Sequence, residues 1–195
     1  MERRDFLCRR SLVFPFAFVP TETPRAVANA VDKTVHVLID IVVAAPADEN
    51  LRDTWLEPLW TAVQEDGVDY LWEVSERWGG LCATPERASR TADDLLSIVR
   101  LSWSEKHGGY LRGTSACLSC LLAAGRRQEL LNLIDTSPYP CWHYRRFGVQ
   151  ALAAMGRPVD AIGYAQDSLE LNDSPAAIAR ACEEILLEAG RSDEA

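Results

Sequence analysis

Lysine is almost missing from this chain. Of 20 basic residues only Lys33 and Lys106 are lysine, and the other 18 are arginine. Methionine occurs twice and histidine three times. No apolar run reaches the roughly 18 residues that a transmembrane helix needs, which excludes such a helix. Sustained two-residue alternation of apolar and polar side chains is also lacking, so no sheet is expected. There is no Gly-rich phosphate loop and no serine or cysteine in a recognisable nucleophile elbow. With 29 acidic residues and a formal charge of -9, the chain lacks the clustered cations that generic binding to nucleic acid or an anionic membrane demands.

What is present describes a globular protein. The 195 residues are 48% hydrophobic and 25% charged, which suits one compact domain or a short repeat array. Cys8, Cys82, Cys117, Cys120, Cys141 and Cys182 are scattered, mostly inside apolar runs. They are expected to be reduced thiols acting as small hydrophobes in a cytosolic protein.

Residues 1–23 form an expected irregular arm whose Phe14, Phe16 and Phe18 dock on the first helices. The alternative is a twin-arginine export signal, since Arg3-Arg4-Asp5-Phe6-Leu7 precedes an apolar stretch and Ala28 or Ala30 could mark cleavage. Residues 24–195 read as a single helical domain. Pro24 to Ala45 carries Val27, Val31, Val35, Leu38 and Val42 on one stripe. Leu51 to Glu65 carries Leu51, Trp55, Leu59 and Val63, with a kink or restart expected at Pro58. Asp69 is expected to cap a helix from Tyr70 to Trp78 that stops at Gly79-Gly80. Thr84-Pro85 is an N-cap with proline in the first turn, opening a helix to about Ser104 that ends at His107-Gly108-Gly109.

Three segments share a turn: Leu121 to Arg126, Leu152 to Arg157 and Leu186 to Arg191 each end in Gly-Arg, the glycines lying 31 and 34 residues apart. Each reads as helix, glycine turn, helix, with the glycine supplying the positive φ of a helix C-terminus. Arg126, Arg157 and Arg191 are placed to meet the helix-end carbonyls. This period is that of stacked helical hairpins, so the fold expected is all-α, a tetratricopeptide-like α-solenoid of about 8–10 helices, clearest over 114–195. Ala151 to Pro175 (ALAAMGRPVDAIGYAQDSLELNDSP) resembles a tetratricopeptide unit. With DGVDYLWEVSERWGGLCATPE, ACLSCLLAAGRRQELL, CWHYRRFGVQAL and LNDSPAAIARACEEILLEAGRSDEA, about residues 51–195 resemble a bacterial family of helical-repeat proteins of unknown function. That resemblance implies the fold and brings no catalytic residue. At the C-terminus Ile185, Leu186 and Ala189 would lack a neighbour on one side, which would suit self-association through that face or a shortened family member.

Trp142, His143, Tyr144, Arg145 and Arg146, followed by Phe147, form the densest aromatic and basic cluster. On a helix, Trp142, Arg145 and Arg146 share one side and could hold an acidic or planar partner. The plainer alternative puts Trp142 and Phe147 in the core, with the arginines paired to acids such as Asp135 or Glu170. Cys117-x-x-Cys120 with Cys141-x-His143 could make a zinc site, although the first pair lies in an apolar helical run. His36 and His107 are isolated, and Asn172 to Pro175 is accounted for as a turn and cap. The expectation is therefore a non-enzymatic module that binds another protein and needs no cofactor, with a zinc-binding regulator as the alternative.

Overall fold

In a computed structural model, residues 25–67, 69–104, 111–138, 141–168, 175–188 and 190 are described. The expected arm or export signal, His107 to Gly109 and Asn172 to Ser174 lie outside them. Among the described residues there are ten α-helices and no strand: α1 (Arg25–Ala44), α2 (Glu49–Glu65), α3 (Trp72–Glu76), α4 (Trp78–Leu81), α5 (Pro85–Ser102), α6 (Gly113–Ala123), α7 (Arg127–Asp135), α8 (Trp142–Ala154), α9 (Pro158–Gln166) and α10 (Pro175–Glu188). None is long and apolar enough to cross a membrane.

Helix α6 is the axle of the packing. Every residue from Gly113 to Leu121 is buried, as the run Ala-Cys-Leu-Ser-Cys-Leu-Leu requires of a helix apolar on all sides. It contacts α3, α4, α5, α7 and α8. Beyond it the helices pack in chain order, α7 on α8, α8 on α9 and α9 on α10, with further contacts of α6 to α8 and α8 to α10.

The glycine turns follow the local chemistry. Gly125, Gly156 and Gly190 all have φ of +72°. After α6, Arg126 N–H donates to the Leu121 carbonyl and Gly125 N–H to that of Leu122. After α8, Arg157 and Gly156 repeat the pattern on Leu152 and Ala153. This pairing satisfies carbonyls that the helix end leaves open. The side chains of Arg126 and Arg157 do not go back to those carbonyls, as expected, but forward to Glu129 and Asp160 one turn into the next helix. The carbonyl-capping role is filled elsewhere, by buried Arg52, which donates to Val42 and Ala45 at the end of α1.

Several boundaries and faces differ from expectation. Thr84 caps α5 as read, its hydroxyl accepting from Arg87 N–H. Helix α2, however, runs through Pro58 without interruption. Asp69 is not a cap: it sits at φ 57° and pairs with Arg112, while the Asp66 carboxylate accepts from Leu71 N–H. Gly79 and Gly80 lie inside α4, and the break falls before them at Arg77. Gly79 is there for closeness, since a Cβ on it would lie 2.2 Å from the Ser119 carbonyl oxygen. The core stripes are partly as read: Val35 and Val63 are buried and Val31, Val42 and Leu59 pack against the core, but Leu38 and Leu51 face outward while Ile39, Arg52, Leu56 and Trp60 are buried. Ile185 and Leu186 are buried by the chain itself.

Candidate polar site between α3, α6 and α8

The aromatic and basic cluster forms the first turns of α8, where it divides between core and seam. Trp142 and Tyr144 are buried, with Tyr144 stacked at a tilt 5.6 Å from Trp103. Phe147 is also core. The cations turn inward. Arg145 donates to Ser168 Oγ at 2.7 Å and to the Tyr164 carbonyl, and lies 3.9 Å over the Tyr164 ring. Arg146 pairs with Glu76 on α3. Two of the three elements needed for the plainer alternative are thus present, but the arginines' partners are Glu76, Ser168 and Tyr164 rather than Asp135; Glu170 is outside the described residues.

His143 stands at the centre. Its Nε2 is 2.9 Å from Ser115 Oγ on α6, and its Nδ1 is 3.0 Å from Glu76 Oε1. As a carboxylate Glu76 offers only acceptors. With the proton on Nδ1, beside this carboxylate, the Nε2 lone pair is the one that can accept from the Ser115 hydroxyl. The imidazole is 41% exposed whereas the Glu76 carboxylate is only 3% exposed. Neither Glu76 oxygen has a well-aligned hydrogen bond, so the charge is held by proximity to Arg146 and His143. Trp72, itself largely exposed, leans toward the imidazole at a centroid distance of 6.4 Å.

A second acid deepens the seam. Glu73 lies one turn before Glu76 on the same face of α3, buried, with His36 Nδ1 of α1 at 3.5 Å. Burial, and after it the neighbouring Glu76 charge, push its pKa up, against the opposing pull of His36 and Arg146. In four aspartate pairs elsewhere the polarity is the reverse, although in Arg100–Glu129 the acid is again the less exposed partner. In the pairs Arg77–Asp40, Arg87–Asp53, Arg112–Asp69 and Arg126–Asp93 the aspartate is the more exposed partner.

The cysteines gather differently from a zinc knuckle. Cys117 and Cys120 are fully buried in α6, and Cys120 Sγ approaches Cys82 Sγ at 4.0 Å. Burial pushes the Cys117 thiol up to about 12, whereas the hydrogen bond between Cys82 and Cys120, aided by burial, raises Cys120 and lowers Cys82. Cys141 precedes α8, and both ring nitrogens of His143 are already engaged. No group of three or more His, Cys, Asp or Glu arranged to hold a metal ion occurs among the described residues.

Sequence reasoning singled out His143 and Arg146 but passed over Ser115 and Glu76. The signal available was Glu73 and Glu76 at i, i+3 within Trp-Glu-Val-Ser-Glu-Arg-Trp, an acidic pair on one face of an aromatic segment. Compared with protein-family models, curated proteins and solved structures, the chain gave no match.

Proposed function

We propose that the chain is a scaffold of stacked helical hairpins that binds another protein. The observation that carries this reading is the repeated turn: α6–α7 and α8–α9 are joined by the same glycine-centred geometry, and from α5 to α10 each helix packs on the next in chain order. Such stacking makes an extended surface rather than a closed pocket. The resemblance of residues 51–195 to helical-repeat proteins supports the same reading, and the charge of -9 directs it toward a protein rather than nucleic acid or an anionic membrane.

The test is affinity capture with the full chain, then rebinding of each recovered protein after purification. A partner that rebinds this chain, and not an unrelated acidic helical protein, supports the reading. Failure of every recovered protein to rebind would refute it. Replacing Arg145 and Arg146 together then asks whether the α8 turn is the face used. Thermal melts of the double variant separate lost binding from lost fold, because both side chains hold internal partners.

A further inference from the structure

We propose that Ser115, His143 and Glu76 form an acyl-transfer site, with Ser115 as the nucleophile, His143 as its general base and Glu76 as the positioning acid. Residues far apart in sequence converge here in the order the chemistry needs: hydroxyl to Nε2 at 2.9 Å, Nδ1 to carboxylate at 3.0 Å. This order suits the tautomer that can take a proton from serine. The Glu76 contact is close but not well aligned, as is common for such contacts before a substrate is bound.

Three further features suit a reacting centre. Ser115 is the third residue of α6, so charge developing on an attacked carbonyl would lie near the positive end of an 11-residue helix. The imidazole is the open part of the site, while Ser115 lies beneath it, 6% exposed, which restricts access to small electrophiles. Exposed Trp72 beside His143 offers a flat apolar platform. The substrate class is therefore a small ester with an apolar or aromatic acyl group.

In the reaction Ser115 Oγ bonds to the ester carbonyl carbon as its proton passes to His143 Nε2. The carbon–oxygen bond to the alcohol then breaks, and the alcohol leaves with that proton. Water attacks the acyl-serine in the same way, releasing the carboxylic acid and restoring the hydroxyl. The proposal is independent of protein binding, and its test needs no partner, so each can fail alone.

The experiment treats the full chain with a small alkyl fluorophosphonate, which forms an Oγ–P bond and expels fluoride, and maps the adduct by mass spectrometry. A single adduct on Ser115 is expected in the native chain and not in the urea-unfolded one. Ser115→Ala removes it, and His143→Gln slows it by about 100-fold or more, the usual scale of general-base help. Glu76→Gln should slow it further than Glu76→Asp, although glutamine is closer in size, a ranking that lost packing alone does not produce. Hydrolysis of 4-nitrophenyl acetate should exceed that of Ser115→Ala. The proposal is overturned if native Ser115 gains no adduct, or gains it at the rate of the unfolded chain. The comparison of native with unfolded chain decides even if a variant fails to fold.

Discussion

Replacing Gly79 by alanine should damage this protein far more than the same change one residue later. The Cβ it adds would lie 2.2 Å from the Ser119 oxygen, 2.7 Å from the Ser119 carbonyl carbon and 2.8 Å from Ala123 Cβ. Two of those atoms belong to the backbone of α6, so no side chain can swing away, and α4 must move off the central helix. Overpacking of this kind costs about 1–3 kcal/mol, at times more. Displacement also endangers the 2.9 Å hydrogen bond from Gly79 N–H to Ser119 Oγ, worth about 1 kcal/mol. The gain in helix propensity returns at most about 1 kcal/mol. The net loss is about 1–3 kcal/mol, or about 2–12 °C in Tm for a chain of this size. At Gly80 a Cβ would meet only Val43 Cγ2 at 3.7 Å, so Gly80→Ala should leave stability unchanged or raise it by up to about 1 kcal/mol. Urea unfolding and thermal melts of the two variants supply the comparison. A Gly79→Ala protein within about 1 kcal/mol of the parent would refute the close approach of α4 to α6.

Other outcomes follow from the same packing. Leu118→Ala, at a fully buried site in the middle of α6, should cost about 2–5 kcal/mol, read as a lower urea midpoint. Glu73→Gln should alter how stability depends on pH. Because folding raises the Glu73 pKa, its favourable contribution is complete below the unfolded value of about 4.3 and fades as pH rises through the folded value. Unfolding midpoints of parent and variant should therefore converge in acid, with the variant gaining on the parent toward neutral pH; parallel curves would refute the assignment. Cys117, buried with its thiol near 12, should resist iodoacetamide in the native chain and react only on unfolding, as peptide mapping would report.

The parts of the fold legible in the sequence are those fixed by local chemistry. The Thr84 cap, the span of α1 and the glycine turns at 125, 156 and 190 each depend on neighbours within about one helical turn. The inward faces of α1 and α2 were legible only in part, because both helices carry apolar residues on more than one side: Val35 and Val63 are buried as read, and Val31, Val42 and Leu59 pack against the core. Leu38 and Leu51 end up exposed, while Arg52 is drawn inside by the carbonyls at the end of α1. Gly79-Gly80 resembles a stop signal, and only the backbone of α6 beside it shows why a side chain is excluded. The polar site was least legible of all. Glu76, Ser115 and His143 belong to three helices and share no spacing, so their meeting depends on how α3 and α8 pack against α6.

The arginine bias acquires a structural reason at these contacts. Arg87 reaches both the Asp53 carboxylate and the Glu49 carbonyl. Arg126 reaches Glu129, Asp93 and Ser89, and Arg145 reaches Ser168, the Tyr164 carbonyl and the Tyr164 ring. Each uses several N–H groups of one planar fork, which a lysine ammonium cannot replace. In the aspartate pairs the arginine is the more buried partner and the acid faces water, which also explains how an acidic protein keeps its helices tied together. At α3 the arrangement is inverted: the carboxylates go inside, and His143, Arg146 and His36 stand nearer the solvent. An arginine inserted from outside can tie helices without burying an acid, as the other pairs demonstrate. The inversion thus costs desolvation that cohesion alone does not require. The use we assign to it is holding His143 in the tautomer that faces Ser115.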